Sequence, residues 1–208
     1  MKLVTILSLI ILPLFATAQW KTMSVPTKAN FRSVHAVNNQ VAWVGGSLGN
    51  LYKTVNGGKS WNKIVIPGTD SLDFRDIHGL NRKEAIVLSI GESEKGQSRI
   101  YKTQDGGLTW KLVHQPIKKG IFLDCIEFWD QKNGICLGDP VDGSFYLLRT
   151  NDGGNTWLEV TSSNPPVSLK GEAAFAASGS TLHAFDKGKV VIGTGGNITY
   201  SRILLSED

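Results

Sequence analysis

Three sets of chemistry-bearing residues recur at related positions in this sequence. His35, His78 and Glu127 each sit in a short, mainly apolar stretch, at residues 33–37, 76–80 and 125–129. Imidazole and carboxylate are donors that a divalent transition metal accepts. No pair of them has the close spacing of a zinc motif, however, so packing between neighbouring units is the plainer expectation, with no metal and no cofactor. His114 and His183 fit no pattern. The second set is charged. Arg32 and Arg75 align with each other and with Asp124, Asp73 and Asp76 flank Phe74-Arg75, Asp139 and Asp142 lie in a Pro-stiffened stretch at 138–143 that reads as a loop between two strands, and Glu172 follows Lys170. Such a mixture of fixed charges suits recognition of a charged partner, with ordinary solvated loop charge as the alternative. Five of the acids, Asp76, Asp124, Asp139, Asp142 and Glu172, come from successive stretches and make a glycosidase-type carboxylate pair conceivable. The nearby arginines are expected to lower carboxylate pKa values and to oppose a protonated acid. The third set is Cys125 and Cys136, the only cysteines. A disulfide and two buried thiols are both open. Pairing across a turn at 130–133 would set Cys136 opposite Glu127, with Cys125 a diagonal neighbour that only a bulge could bring into bonding range.

The elements that must position these residues are repeats. Thr54 to Trp61, Thr103 to Trp110 and Thr150 to Trp157 align without gaps as T-x-[DN]-G-G-x-[ST]-W, and their tryptophans are 49 and 47 residues apart. That period suits a four-stranded propeller blade. An apolar strand precedes each box, at 50–53, 99–102 and 146–149, and another follows it, so the box is a Gly-rich hairpin turn. A second hairpin lies upstream in each repeat. The four strands of a repeat are named A to D here, and the box joins C to D. Gly58, Gly107 and Gly154, each after another glycine, allow positive φ in a tight turn. Asn56, Asp105 and Asp152 can accept the turn's own N–H groups, and Trp61, Trp110 and Trp157 offer large surfaces to bury between blades. The box acids are therefore expected to be structural, and no catalytic residue is expected among them.

This box resembles the Asp-box, or BNR, repeat of sialidase-like propellers. Together with Phe31-Arg-Ser-Val34 and Phe74-Arg-Asp-Ile77 opening two blades, it is most similar to the photosystem II stability/assembly factor family and its exported bacterial relatives. The resemblance covers the mature chain. It implies an all-β propeller of seven blades that binds a protein or assists assembly, without catalysis. Sialidases and xyloglucan-cleaving propellers share the box, so a glycoside hydrolase acting on a glycan is the competing class. Phe31 to Val34 resembles the sialidase F-R-I-P segment, whose Arg binds the substrate carboxylate. The motif recurs one blade later, though, and no Tyr–Glu nucleophile pair is identifiable.

Of the 208 residues 41% are hydrophobic and 19% charged, which excludes intrinsic disorder. A formal charge of +4, with the basic residues scattered, gives no nucleic-acid footprint. Residues 1–18 read as a cleaved secretory signal peptide, with Lys2, an apolar run from Leu3 to Phe15, and Ala16-Thr-Ala18 as the cleavage pattern. The mature chain is expected to be periplasmic or secreted, to start near Gln19 or Trp20, and to carry no membrane span. Gly193 to Gly196 lacks the rest of a nucleotide-binding loop, and no G-x-S-x-G or H-E-x-x-H occurs.

The expected organisation is a D-like closing strand at 20–26, blades at 31–66, 73–115 and 121–161, and a partial blade at 172–208. Asp208 falls on the third position of a fourth box. A fragment of a larger ring is favoured over a complete four-bladed ring closed by the strand at 20–26, since so small a ring sits at the edge of the usual range and the last turn would be left unformed.

Overall fold

Residues 20–175, 179–186 and 188–206 are described by a computed structural model. The expected signal peptide at 1–18 and Asp208 lie outside them. The first blade is β1 (Phe31–Ala36), β2 (Ala42–Gly46), β3 (Leu51–Thr54) and β4 (Asn62–Ile64). The second is β5 (Asp73–Gly79), β6 (Ala85–Ile90), β7 (Arg99–Thr103) and β8 (Lys111–His114). The third is β9 (Leu123–Phe128), β10 (Gly134–Val141), β11 (Ser144–Thr150) and β12 (Leu158–Glu159). Each is an antiparallel sheet in chain order. The fourth unit pairs β13 (Glu172–Ala173) with β16 (Gly195–Gly196), and sets β14 (Leu182–Phe185), β15 (Lys189–Gly193) and β17 (Ile203–Ser206) side by side. The A strands β1, β5, β9 and β14 pack against one another in turn, which is the inner wall of a propeller.

Blades stack face to face, so their inner strands are covered on both sides and read as unbroken apolar runs. Ala85, Ile86, Val87 and Leu88 of β6 are all fully buried. One core joins blades 1 and 2 around Trp43 and Phe74. A second joins blades 2 and 3 around Ile86, Phe128 and Trp157, and a third joins blade 3 to the fourth sheet around Leu137, Leu182 and Ile192. The D strands are short and mostly exposed, because they form the outer rim.

Each box is a closed hydrogen-bond network. The Thr103 hydroxyl accepts the Gly107 N–H at 2.9 Å and donates to Asp105 Oδ1 at 2.9 Å, and the other Asp105 oxygen accepts the Thr109 hydroxyl at 2.5 Å. Thr150, Asp152, Gly154 and Thr156 repeat the pattern. In the first box Asn56 accepts the Thr54 hydroxyl and the Ser60 N–H, and its amide donates to Ser60 Oγ at 2.8 Å. Gly106 and Gly107 have φ of 85° and 95°, and a Cβ on Gly107 would stand 2.6 Å from Ile64 of the neighbouring blade. Glycine is thus required there both by backbone conformation and by the close approach of the next blade.

Three expectations are corrected. The A–B turn of blade 3 is one residue longer than read, so Cys136 pairs with Ile126 and Cys125 with Leu137. A one-residue slip sends a side chain to the opposite face. Cys136 therefore enters the core shared with blade 2 and Cys125 the core shared with the fourth sheet, and both are free, buried thiols. Residues 20–26 join no sheet and Trp20 is fully exposed. A rim strand buries little, and in blades 1 to 3 it is held by the box before it, which this segment lacks. Finally, most of the segment 138–143 is strand. The turn is Asp142-Gly143, with φ of 54° and 86°, and both residues positive is the pattern of a two-residue hairpin.

Candidate functional site

A strands start, and B–C connections and D–A connections lie, on the face opposite the boxes. Every A strand of blades 1 to 3 carries a bulge there. The register skips Arg32 between Phe31 and Ser33, Arg75 between Phe74 and Asp76, and Asp124 between Leu123 and Cys125. The aligned charges are thus the extra residues of three equivalent bulges, a device that re-aims a side chain out of the ladder. Sequence alignment marked these positions without disclosing why they differ from the strand around them.

The structure sorts the predicted partner-binding residues by burial. Arg32 is exposed. Arg75 is part-buried and its Nε lies 2.9 Å from Asp73. Asp142 is largely exposed and pairs with Lys118 at 2.7 Å. Asp124 is 1% exposed. Asp76 is buried: its two oxygens accept the N–H groups of Ile77 at 2.8 Å and Ile126 at 2.7 Å, the latter from blade 3. Glu172 is buried and paired with Arg202 at 2.5 Å, accepting also the Leu169 N–H and the Thr194 hydroxyl. Asp139 is half-buried and accepts the Ala174 N–H at 2.9 Å, tying blade 3 to the fourth unit. Burial therefore removes Asp76, Asp124 and Glu172 from the surface a partner could touch.

The expected depression by Arg32 and Arg75 does not hold for Asp76 or Asp139. Burial raises Asp76 to about 6, against the lowering effect of its two backbone hydrogen bonds. Burial also raises Asp139. Glu172 is held low, at about 2, chiefly by its hydrogen bond to Arg202. A protonated carboxyl is thus available at mild acidity, but Asp76 is sealed from solvent. A Cβ on Gly179 would stand 2.6 Å from its Oδ1.

The exposed charge left on this face is mainly cationic. Lys28, Arg32, Lys119 and Lys170 are exposed. Asp70 is an exposed acid there, and the Glu94 carboxylate accepts the Ser93 hydroxyl and the Gly120 N–H. The Gly120 bond, with the Ser93 hydroxyl donating to the Lys118 carbonyl and accepting the Ile121 N–H, clamps the connection at 116–121, where Ile117 is fully exposed.

The inner column of A-strand side chains does converge. The rings of His35 and His78 stand 4.1 Å apart, and His78 Nδ1 lies 3.7 Å from Glu127 Oε2. His183, which sequence reasoning left unassigned, joins them with Nδ1 3.8 Å from Glu127 Oε1. Among the described residues no group of three or more His, Cys, Asp or Glu is placed to hold a metal ion.

Two lysines missed by motif reading are anchored just before boxes, Lys53 across two blades and Lys102 within blade 2. Lys53 Nζ donates to the carbonyls of Arg82 at 2.6 Å and Gly106 at 3.1 Å, both in blade 2, and sits over the Trp43 ring. The buried Lys102 lies 3.4 Å from Glu84. Both occupy the position just before a box Thr, which was the available signal.

Three box networks on stacked four-stranded sheets decide the architecture. The fold is that of an Asp-box β-propeller. No family model matches the chain. A solved structure of YCF48 bound to a D1 peptide superposes with a TM-score of 0.57 at 16% identity, over 94% of this chain and 59% of that one. Photosystem II assembly lipoprotein Ycf48 of Synechococcus sp. (strain CC9902) is 28% identical over 102 residues, 45% of this chain and 27% of that protein. A xyloglucanase of Paenibacillus sp. is 22% identical over 211 residues, 84% of this chain and 20% of that protein. The chain thus spans less than a third of these two curated relatives.

Proposed function

We propose that this Asp-box propeller is an exported, non-catalytic protein that binds an acidic polypeptide segment on the face opposite the boxes. The observation that carries this reading is the balance of exposed charge on that face. Lys28, Arg32 and Lys170 form no ion pair among the described residues and Lys119 has Glu94 within electrostatic reach, whereas most acids nearby are buried, paired or hydrogen-bonded. A fixed cationic field of this kind steers an anionic partner and sets its register. The likeness to a propeller solved with a bound peptide supports the same reading. Arg75, held by Asp73, serves as a preset contact beside Arg32.

Fluorescence anisotropy with labelled peptides of matched length, one Glu-rich and one Lys-rich, tests it. The acidic peptide is expected to bind, to weaken steeply with salt, and to bind less well to Arg32→Ala and Lys119→Ala chains that keep the wild-type melting temperature. Equal binding of both peptides, or no salt dependence, would sink the proposal. N-terminal sequencing of exported material tests the secretory part: a chain beginning near Gln19 is expected, and retained Met1 would contradict it.

A glycoside hydrolase is the second reading, favoured by the xyloglucanase match across most of this chain. Release of reducing sugar from xyloglucan or sialosides, abolished by Asp139→Asn or Asp142→Asn without loss of fold, would replace the binding proposal.

A further inference from the structure

We propose that Glu127, set between His78 and His183, is a proton-operated clasp that fastens the fourth sheet and blade 2 to blade 3 on mild acidification. The inference is independent of any partner. It rests on the geometry of three successive A strands. Glu127 projects from β9 with one carboxylate oxygen towards each neighbour: Oε2 lies 3.7 Å from His78 on β5 and Oε1 lies 3.8 Å from His183 on β14. These separations are too long for hydrogen bonds. With neutral imidazoles the contacts are slack. A proton on either ring makes the contact an ion pair, and attraction then draws the two strands together.

The groups around the column favour that response. From β1, His35 stacks on His78, and burial, reinforced by the His78 charge, lowers it to about 4. His35 therefore stays neutral in mild acid and sets no second cation beside His78. From β5, Asp76 is raised to about 6 by burial, so on the same descent in pH it loses its charge, ceasing both to repel Glu127 and to attract His78, which leaves Glu127 as the carboxylate facing the two rings. From β9, Asp124 is buried, and burial together with Asp76 raises Cys125 well above the usual thiol range, so that thiol stays neutral. On β14, His183 is the titratable group.

The join to the fourth sheet is where such a clasp has most effect. Among the described residues its polar ties to blade 3 include the Trp129 indole N–H to the Lys189 carbonyl at 2.8 Å, the Ala174 N–H to Asp139, and the contact of Cys125 Sγ with the Thr181 hydroxyl at 3.5 Å. None of these gains a charge pair as pH falls. An ion pair between His183 and Glu127 adds a tie that appears only in acid.

The test is a titration of imidazole Cε1–Hε1 NMR signals in the full chain and in Glu127→Gln. The His78 and His183 curves are expected to move to lower pH in the variant, because the neighbouring carboxylate charge is gone. His114, on β8, is the internal control and is expected to hold its position. Unchanged His78 and His183 midpoints in Glu127→Gln would overturn the clasp. A second variant guards against misfolding. His183 is 69% exposed, so His183→Gln leaves the core intact. Amide exchange of β14 and β15, corrected for intrinsic rate, is expected to slow on acidification in the wild type and not in His183→Gln. The same slowing in both chains would also overturn it.

Discussion

Replacing Asp76 by Asn asks what a sealed carboxylate costs this fold. The Asp76 pKa is about 6 in the folded chain against an ordinary 3.8, chiefly because burial disfavours the charged form. At about 1.4 kcal/mol per unit, the folded state bears about 3 kcal/mol for keeping this group ionised above pH 6. The sign follows from proton counts. Between the two pKa values the folded chain holds a proton that the unfolded chain has released, so stability rises as pH falls through this window. Asn has nearly the same shape but one acceptor oxygen instead of two. One of the N–H groups of Ile77 and Ile126 is left facing an amide N–H, at a cost of about 1–3 kcal/mol. Near neutrality that loss and the relief of charge burial offset each other, and the variant should lie within about 2 kcal/mol of wild type. On acidification only the wild type gains, so the difference should move by about 2 kcal/mol in favour of the wild type. His35, lowered to about 4, has the opposite pH dependence, but it is present in both chains and cancels in the difference. Urea unfolding followed by tryptophan fluorescence at about pH 7.5 and about pH 4.5 measures this gap. A wild-type-to-variant difference that is the same at both pH values would refute the assignment of Asp76 as a buried, proton-linked group.

Three further outcomes are expected. Trp157→Ala should cost about 3–5 kcal/mol in chemical unfolding, because its ring is buried against Phe128 between blades 2 and 3, whereas Trp110→Ala should cost less since that ring is half-exposed. Asp105→Asn should leave the melting temperature at pH 7 unchanged, as Asn56 makes the equivalent bonds in the first box, and a large drop would show that the box needs the charge. Glu172→Gln should destabilise the fourth unit by about 2–4 kcal/mol at neutral pH, less than a wholly buried pair because Arg202 keeps a quarter of its side chain exposed. Since the Glu172 pKa is held at about 2, its contribution is complete above the ordinary carboxylate pKa and lost as pH falls towards 2, so the variant should converge on wild type in strong acid.

Much of the blade was legible because its determinants are local. A Thr, an Asx, two glycines and a Thr or Ser within eight residues close their own hydrogen bonds, whatever surrounds them, as the agreement of the second and third networks shows. The charged face was legible in position but not in availability. Asp76 and Arg75 are adjacent in sequence, yet one is sealed and the other reaches the surface, because a bulge turns Arg75 out of the ladder. His183 carried no signal at all. Its A strand lies in the fourth unit, where the spacing from Glu172 departs from that of the other blades, so no alignment set it beside Glu127.

The sequence by itself determined the repeat, the four-stranded blade and the structural role of the box acids, since turn chemistry and strand burial act over a few residues. Tertiary structure alone decided which acids are buried, which faces Cys125 and Cys136 occupy, and which titratable groups meet. Those outcomes depend on contacts between strands some 40 to 60 residues apart, from β5 to β9 and from β9 to β14. They also depend on register, where one added residue in the turn before β10 reverses every side chain that follows.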